Sequence, residues 1–539
     1  MKAANLPKFL LVPVMLSLLS VLFLLLPLIS MFANIDGASI RTVLQQTALP
    51  QVIGRSVTAS LLTTAISLPL AYGLAWCMER TAMAGKGIFR ILLVLPMLIP
   101  SVSIGMGAVL LCGNSGILTE LLGLPSGSVY GLTGIVWGSS MYALPVAFLM
   151  IQNILRFEDS APYEAATVLG LSRWQKFKAI TMPYLRKPMI AAAFSVFTLS
   201  FTDYGVPLMV GGKYKTLPVV MYQEVIGQLN FGKGCIYGSI LLIPAVIAFA
   251  LDFVNQSSAN SVYVTRPFVL DKKPLRDRAA FGYCAIMAVF SLLPIAAFAV
   301  LAFVENYPAD MRLTLMNVVK TMQMGGGKYL LNSVAIAFLV AVGGVAVAVV
   351  AAYYTARNPG PVSRYLHLLC MSMAAIPGIV LGLAYVLLFK KTPLYGTMLI
   401  LVIVNVVHFF ASPYLMIYNS FSKVNENMEA VAWTLGIGRK RLLLDILLPM
   451  CRHTVVEMFS YFFVNSMMTI SAVSFLANSR TKPIALMINQ FEAQAQMEYA
   501  AVVSLAILAV NLAAKGLPQQ SIRKNKEKQN ANKECESGK

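Results

Sequence analysis

Apolar stretches of bilayer-crossing length recur from one end of the chain to the other, and this repetition restricts the fold more than any single residue does. They lie at about 9–33, 54–77, 89–112, 130–154, 188–203, 234–254, 279–303, 330–354, 365–389, 396–421, 454–475 and 499–516. A helix rising 1.5 Å per residue needs roughly 20 apolar residues to cross a hydrocarbon layer about 30 Å thick. The pattern therefore predicts an all-α polytopic membrane protein with about twelve transmembrane helices. The first stretch is too long and too continuously apolar for a cleaved signal and reads as a retained helix. Composition agrees: 58% of the 539 residues are hydrophobic, 12% are charged, and the mean hydropathy is +0.73. So few charges exclude a soluble enzyme, a disordered chain and a secreted disulfide scaffold.

The net charge of +20 is unevenly spread. With the N-terminus cytoplasmic, thirty of the 42 Lys and Arg residues fall on the cytoplasmic side, and the opposite orientation would invert that bias. Both termini are accordingly expected in the cytoplasm. The basic excess then orients the chain and meets anionic lipid, with no call for nucleic acid. Cys77, Cys112, Cys235, Cys284, Cys370, Cys451 and Cys535 form no C-x-x-C pair and read as small hydrophobes.

The chain is written twice. Residues 255–278 are the one long polar break in the middle, so the expected organisation is a first half at 1–254, a cytoplasmic linker at 255–278, a second half at 279–516 and a basic cytoplasmic tail at 517–539. Ile99-Pro100-Ser101-Val102-Ser103-Ile104-Gly105 matches Ile376-Pro377-Gly378-Ile379-Val380-Leu381-Gly382, 277 residues on. Parallel repeats of this kind are a common transporter plan.

A cytoplasmic loop in each half repeats too, at about 156–187 and 422–453. Tyr163-Glu164-Ala165-Ala166-Thr167-Val168-Leu169-Gly170 is followed after nine residues by Ile180-Thr181-Met182-Pro183. Glu429-Ala430-Val431-Ala432-Trp433-Thr434-Leu435-Gly436 is followed after nine by Ile446-Leu447-Leu448-Pro449. Gly170 and Gly436, Ile180 and Ile446, and Pro183 and Pro449 share an offset of 266. Small residues at Ala165, Ala166, Ala430 and Ala432 suit a short helix that seats closely in a partner's groove. Glu164 and Glu429 fall near that helix's positive end. Gly170 and Gly436 permit a left-handed turn into the next helix, and Pro183 and Pro449 open the following span.

These loops resemble the E-A-A-x3-G-x9-I-x-L-P loop of membrane permeases of ATP-binding-cassette importers. The first copy has Met182 for the usual Leu. In the second, Ala430 holds the Glu position and Glu429 stands one residue earlier. The resemblance implies that the loops dock on a dimer of cytoplasmic ATPase subunits and that an extracytoplasmic solute-binding protein delivers the solute. It also implies residence in a bacterial inner membrane. The chain has no G-x-x-x-x-G-K-[ST], since Gly211-Gly212-Lys213 and Gly325-Gly326-Gly327-Lys328 lack the spacing. It is therefore expected to bind no cofactor and to rely on ATP held by the partner. No catalytic cluster is apparent, and three histidines make an all-His metal centre a poor expectation.

Fused permeases of this length resemble the ferric-iron, thiamine and 2-aminoethylphosphonate importer group. The stretches around Ser200–Gly212 and Phe463–Val473 look most like the aminoethylphosphonate branch, so a phosphonate is the expected solute, with ferric iron or thiamine as the alternative. Thr202, Asp203, Asn465 and Thr469 are the polar groups expected along a translocation path. The rival from another class, an ion-coupled secondary carrier, would need intramembrane acids, which are almost absent.

Overall fold

The computed structural model describes residues 6–46, 49–123, 125, 127–256, 268–358, 360–425 and 427–516. The middle of the expected linker, 257–267, and the expected tail, 517–539, lie outside the described residues. The described chain is almost wholly helical. Its strands, Val304–Asn306 and Asp310–Leu313, form one antiparallel hairpin.

Every apolar stretch carries helix, but not every one is a single rod. Seven helices are long and apolar enough to cross a membrane: Leu11–Ala33, Leu49–Arg80, Ser101–Leu122, Leu132–Arg156, Pro274–Leu301, Met316–Arg357 and Met497–Gly516. Two further pairs are bent, Pro361–Ala375 with Gly378–Phe389 by 109° and Met398–Phe409 with Ala411–Ser422 by 56°. Counting each pair as one span gives nine among the described residues, against the twelve expected. Proline accounts for two of the breaks. The third stretch runs as helix over Lys86–Val94, tightens over Leu95–Leu98, extends at Ile99, and restarts after Pro100 as Ser101–Cys112. A proline offers no N–H and pushes the residue before it out of the helical region. Ile376-Pro377 does the same in the second half, where Ile376 has φ −105° and ψ 114°. The repeat seen in the sequence is thus a repeated break.

The chain packs as two compact units whose composition crosses the sequence halves. One unit holds Asp36–Lys320 and Ile488–Val502. The other holds Thr321–Met487 with the described residues before Asp36 and after Val502. The opening helix of each half packs with the body of the other. Tyr385 Oη donates to the Phe23 carbonyl at 2.6 Å, and the Phe23 and Phe389 rings stack. In the other unit Tyr283, on Pro274–Leu301, donates to the Leu70 carbonyl at 3.0 Å.

One close contact is built twice with its residues exchanged. In the first unit a Cβ on Gly205 would collide with Ser101 Oγ; in the second, a Cβ on Gly378 would lie 2.5 Å from Ser471 Oγ. Ser101 and Gly378 correspond in the repeat, as do Gly205 and Ser471. Each contact has room for one hydroxymethyl group, and the two halves supply it from opposite sides.

Candidate functional site

In the first loop Ala161–Val168 forms a short helix, with Pro162 in its first turn and Glu164 following. The helix ends in a doubly bonded turn: Gly170 N–H reaches the Thr167 carbonyl at 3.1 Å and Leu171 N–H reaches Ala166 at 3.0 Å. Gly170 has φ +73°, where a glycine avoids the strain a Cβ brings. Ser172 and Gln175 then cap the next short helix reciprocally. A wide helical turn over Phe177–Thr181 leads to the Met182–Thr202 helix, with Pro183 in its first turn.

The second loop repeats this plan. Asn427–Thr434 is helical, Ile437 N–H reaches the Ala432 carbonyl at 2.8 Å, and Gly436 has φ +69°. A wide turn over Leu442–Leu447 contains Ile446 and precedes Pro449. In each helix one alanine packs inward, Ala166 at 5% and Ala432 at 4% exposure. At the end of each helix apolar side chains stand bare: Val168 is 89% exposed, Leu169 76% and Leu435 69%. Ala165 and Ala430 share that exposure, Ile180 and Ile446 are half-buried, and Pro183 and Pro449 are exposed. Exposed apolar side chains beside small ones suit a surface that meets another protein.

The two loops are anchored differently. In the first, half-buried Arg80, at the end of Leu49–Arg80, pairs with buried Glu158 at 2.5 Å. Tyr163 donates to Glu158 at 2.6 Å and lies 2.6 Å from Thr181 Oγ1, which ties the helix to the wide turn. Burial, reinforced by Glu158, holds the Tyr163 phenol well above its usual range, so it remains a donor. Phe268 stacks against Arg80, 3.8 Å from guanidinium carbon to ring centre, and meets Tyr163 edge-on. Glu164 is exposed and accepts from Ser160 Oγ at 2.9 Å. In the second loop Glu429 stands where Tyr163 does and binds the arginine itself. Arg357 gives Nε to Glu429 at 2.5 Å and Nη2 to its other oxygen. The same guanidinium holds the carbonyls of Phe421, Val424 and Asn425. Glu429 therefore faces its own unit.

The four residues expected on a translocation path have partners inside their own units. Thr202 Oγ1 donates to the Thr198 carbonyl, Asn465 Nδ2 to Tyr461 and Thr469 Oγ1 to Asn465, all one turn back along the chain. Asp203 accepts from Ser101 Oγ at 2.6 Å and from the N–H groups of Gly205 and Val206 at 3.2 and 3.1 Å. Its carboxylate joins the restart of the broken third stretch to the start of Gly205–Val210.

Residues 67–259 and 344–524 each match the family described as "Binding-protein-dependent transport system inner membrane component". The chain belongs to that family. Two relatives align along most of this permease. A putative ferric transport system permease of Haemophilus influenzae is 25% identical over 86% of this chain and 77% of its own length. The ferric transport system permease of Actinobacillus pleuropneumoniae is 24% identical over 88% and 73%. A molybdenum transport permease of Azotobacter vinelandii is 29% identical over 35% of this chain and 87% of its own.

Reading the permease as a sequence singles out the loop glycines but misses their anchors, Arg80, Glu158, Tyr163, Phe268 and Arg357. Arg80 and Arg357 do carry a signal, because they stand 277 residues apart like the Ile-Pro pairs. Their carboxylate partners carry none, since Glu158 and Glu429 sit at different places in the repeat.

Proposed function

We propose that the protein is the permease subunit of a bacterial inner-membrane importer for ferric iron, fed by an extracytoplasmic binding protein and driven by a dimer of separate cytoplasmic ATPase subunits. The observation that carries the solute is the alignment, along most of both chains, with ferric transport permeases. The phosphonate expected from the stretches around Asp203 and Asn465 has less support, because both side chains are engaged in holding their own backbone. The exposed faces of Ala161–Val168 and Asn427–Thr434 receive the ATPases. Closure of the ATPases on ATP then moves the loops and, through Pro183 and Pro449, the spans behind them.

Two outcomes are expected. A deletion strain lacking any second ferric importer should fail to grow when iron is limiting, and should grow normally on 2-aminoethylphosphonate as sole phosphorus source; the reverse pattern would restore the phosphonate reading. The permease alone in liposomes should take up no solute under an ion gradient and should require ATPase, ATP and binding protein together. Uptake by the chain alone would reject the importer mechanism.

A further inference from the structure

Each unit also carries a short loop beyond the far end of the helix that follows its docking loop, and these two loops match. Lys213-Tyr214-Lys215 precedes the Leu217–Tyr222 helix, and Arg480-Thr481-Lys482 precedes Ala485–Ala493. Lys213 and Arg480, like Lys215 and Lys482, are 267 residues apart. The scaffold beneath them is the same. Ser56 Oγ accepts the Leu217 N–H at 2.7 Å, and Ser333 Oγ, 277 residues on, accepts the Ile484 N–H at 2.8 Å. The residue before each serine grips the backbone of the first cation. Arg55 Nη1 donates to the Lys213 carbonyl at 3.1 Å, and Asn332 Nδ2 donates to the Arg480 carbonyl at 2.9 Å.

The cations themselves are turned outward. Lys213, Lys215 and Arg480 are exposed, and none has an ion pair among the described residues. Lys215 donates to Gln223, and half-buried Lys482 lies over the Tyr329 ring at 5.6 Å. Exposed cations without an ion pair contribute little to folding stability. The orientation bias also removes Lys and Arg from this side of the membrane, where only twelve of 42 remain. Four of those twelve stand in these two loops, in the same register and on the same hydrogen-bonded frame.

We propose that these two loops are docking points for the solute-binding protein, each receiving carboxylates on that partner's surface. The proposal rests on the importer reading, which places these loops outside the cytoplasm. A partner with acidic surface fits better than a free anion. A small anion is held by donors that converge in an enclosed site, whereas Lys213, Lys215 and Arg480 are exposed. Charges at the rim of an interface steer encounter and are screened by salt, so the signature lies in association and its ionic-strength dependence.

The test uses the permease co-purified with its ATPase in lipid nanodiscs, and its binding protein in solution. Dissociation constants are measured from low to physiological salt, alongside stimulation of ATP hydrolysis by the binding protein. Lys213→Glu with Lys215→Glu, and separately Arg480→Glu, should each weaken binding on the order of tenfold at low salt and flatten its salt dependence. The corresponding Gln variants should show a smaller loss. Melting should be unchanged, because the loop frame runs through Ser56, Ser333, Arg55 and Asn332. Unchanged affinity and salt dependence in the triple Glu variant, with the wild type stimulated normally, would overturn this proposal alone. If uptake nevertheless falls at saturating binding protein, the cations act on an anionic solute instead. A wild-type complex that its binding protein neither binds nor stimulates would overturn the importer reading with it.

Discussion

Gly170→Arg and Gly436→Arg are each expected to abolish transport while leaving the protein folded in the membrane. Both glycines are left-handed, at φ +73° and +69°, and a Cβ on either meets nothing within 4 Å. The internal cost of a side chain is therefore backbone strain of about 1–2 kcal/mol, too little to unfold a chain of this size. The external cost is larger. Gly170 adjoins Leu169 and Gly436 adjoins Leu435, both exposed on the face proposed to seat in the ATPase. A long cation there must be accommodated or desolvated inside the groove. Asparagine, which tolerates the left-handed region, should retain most of the transport that arginine removes. Uptake in membranes with matched permease content gives the measurement. Full transport in both arginine variants would reject the docking assignment.

The two glutamates should fail in different ways. Glu429→Ala is expected to destabilise the permease by about 3 kcal/mol, because it strips the carboxylate from a guanidinium whose side chain is only 3% exposed. Three backbone carbonyls remain on Arg357 and limit the loss without neutralising the charge. Melting of the purified protein should drop clearly, with Glu429→Gln intermediate. Glu164→Ala removes an exposed side chain that accepts from Ser160, and should shift stability by less than about 0.5 kcal/mol. Its effect should appear in weaker co-purification of the ATPase. A melting temperature unmoved by Glu429→Ala, or an ATPase fully retained by Glu164→Ala, would contradict this division.

What the sequence made legible follows from what repeats in it at short range. The loop glycines announce themselves because a left-handed turn tolerates few residues and the same spacing occurs twice. The Ile99-Pro100 and Ile376-Pro377 breaks were visible as a repeat and yet read as continuous spans, since hydropathy averages over a kink. Glu429 pairs with Arg357 across 72 residues, and no local pattern announces such a partner. Asp203 looked like a path residue because an acid in an apolar context is costly; its N–H partners two and three residues on, and Ser101, meet that cost locally. The matched cations Lys213 and Arg480 escape a fixed register, because one added residue shifts their offset from 266 to 267.

The exchange of opening helices sets a timetable for biosynthesis. Phe23 and the Tyr385 hydroxyl it receives are 362 residues apart. At about 5–20 residues per second, the ribosome needs roughly 20–70 s to make the second after the first. Over that interval the opening helix waits in lipid without the helix it packs against, while the Asp36–Lys320 body is being completed behind it. Insertion order and final neighbourhood are therefore uncoupled, and a helix made early is among the last to be seated.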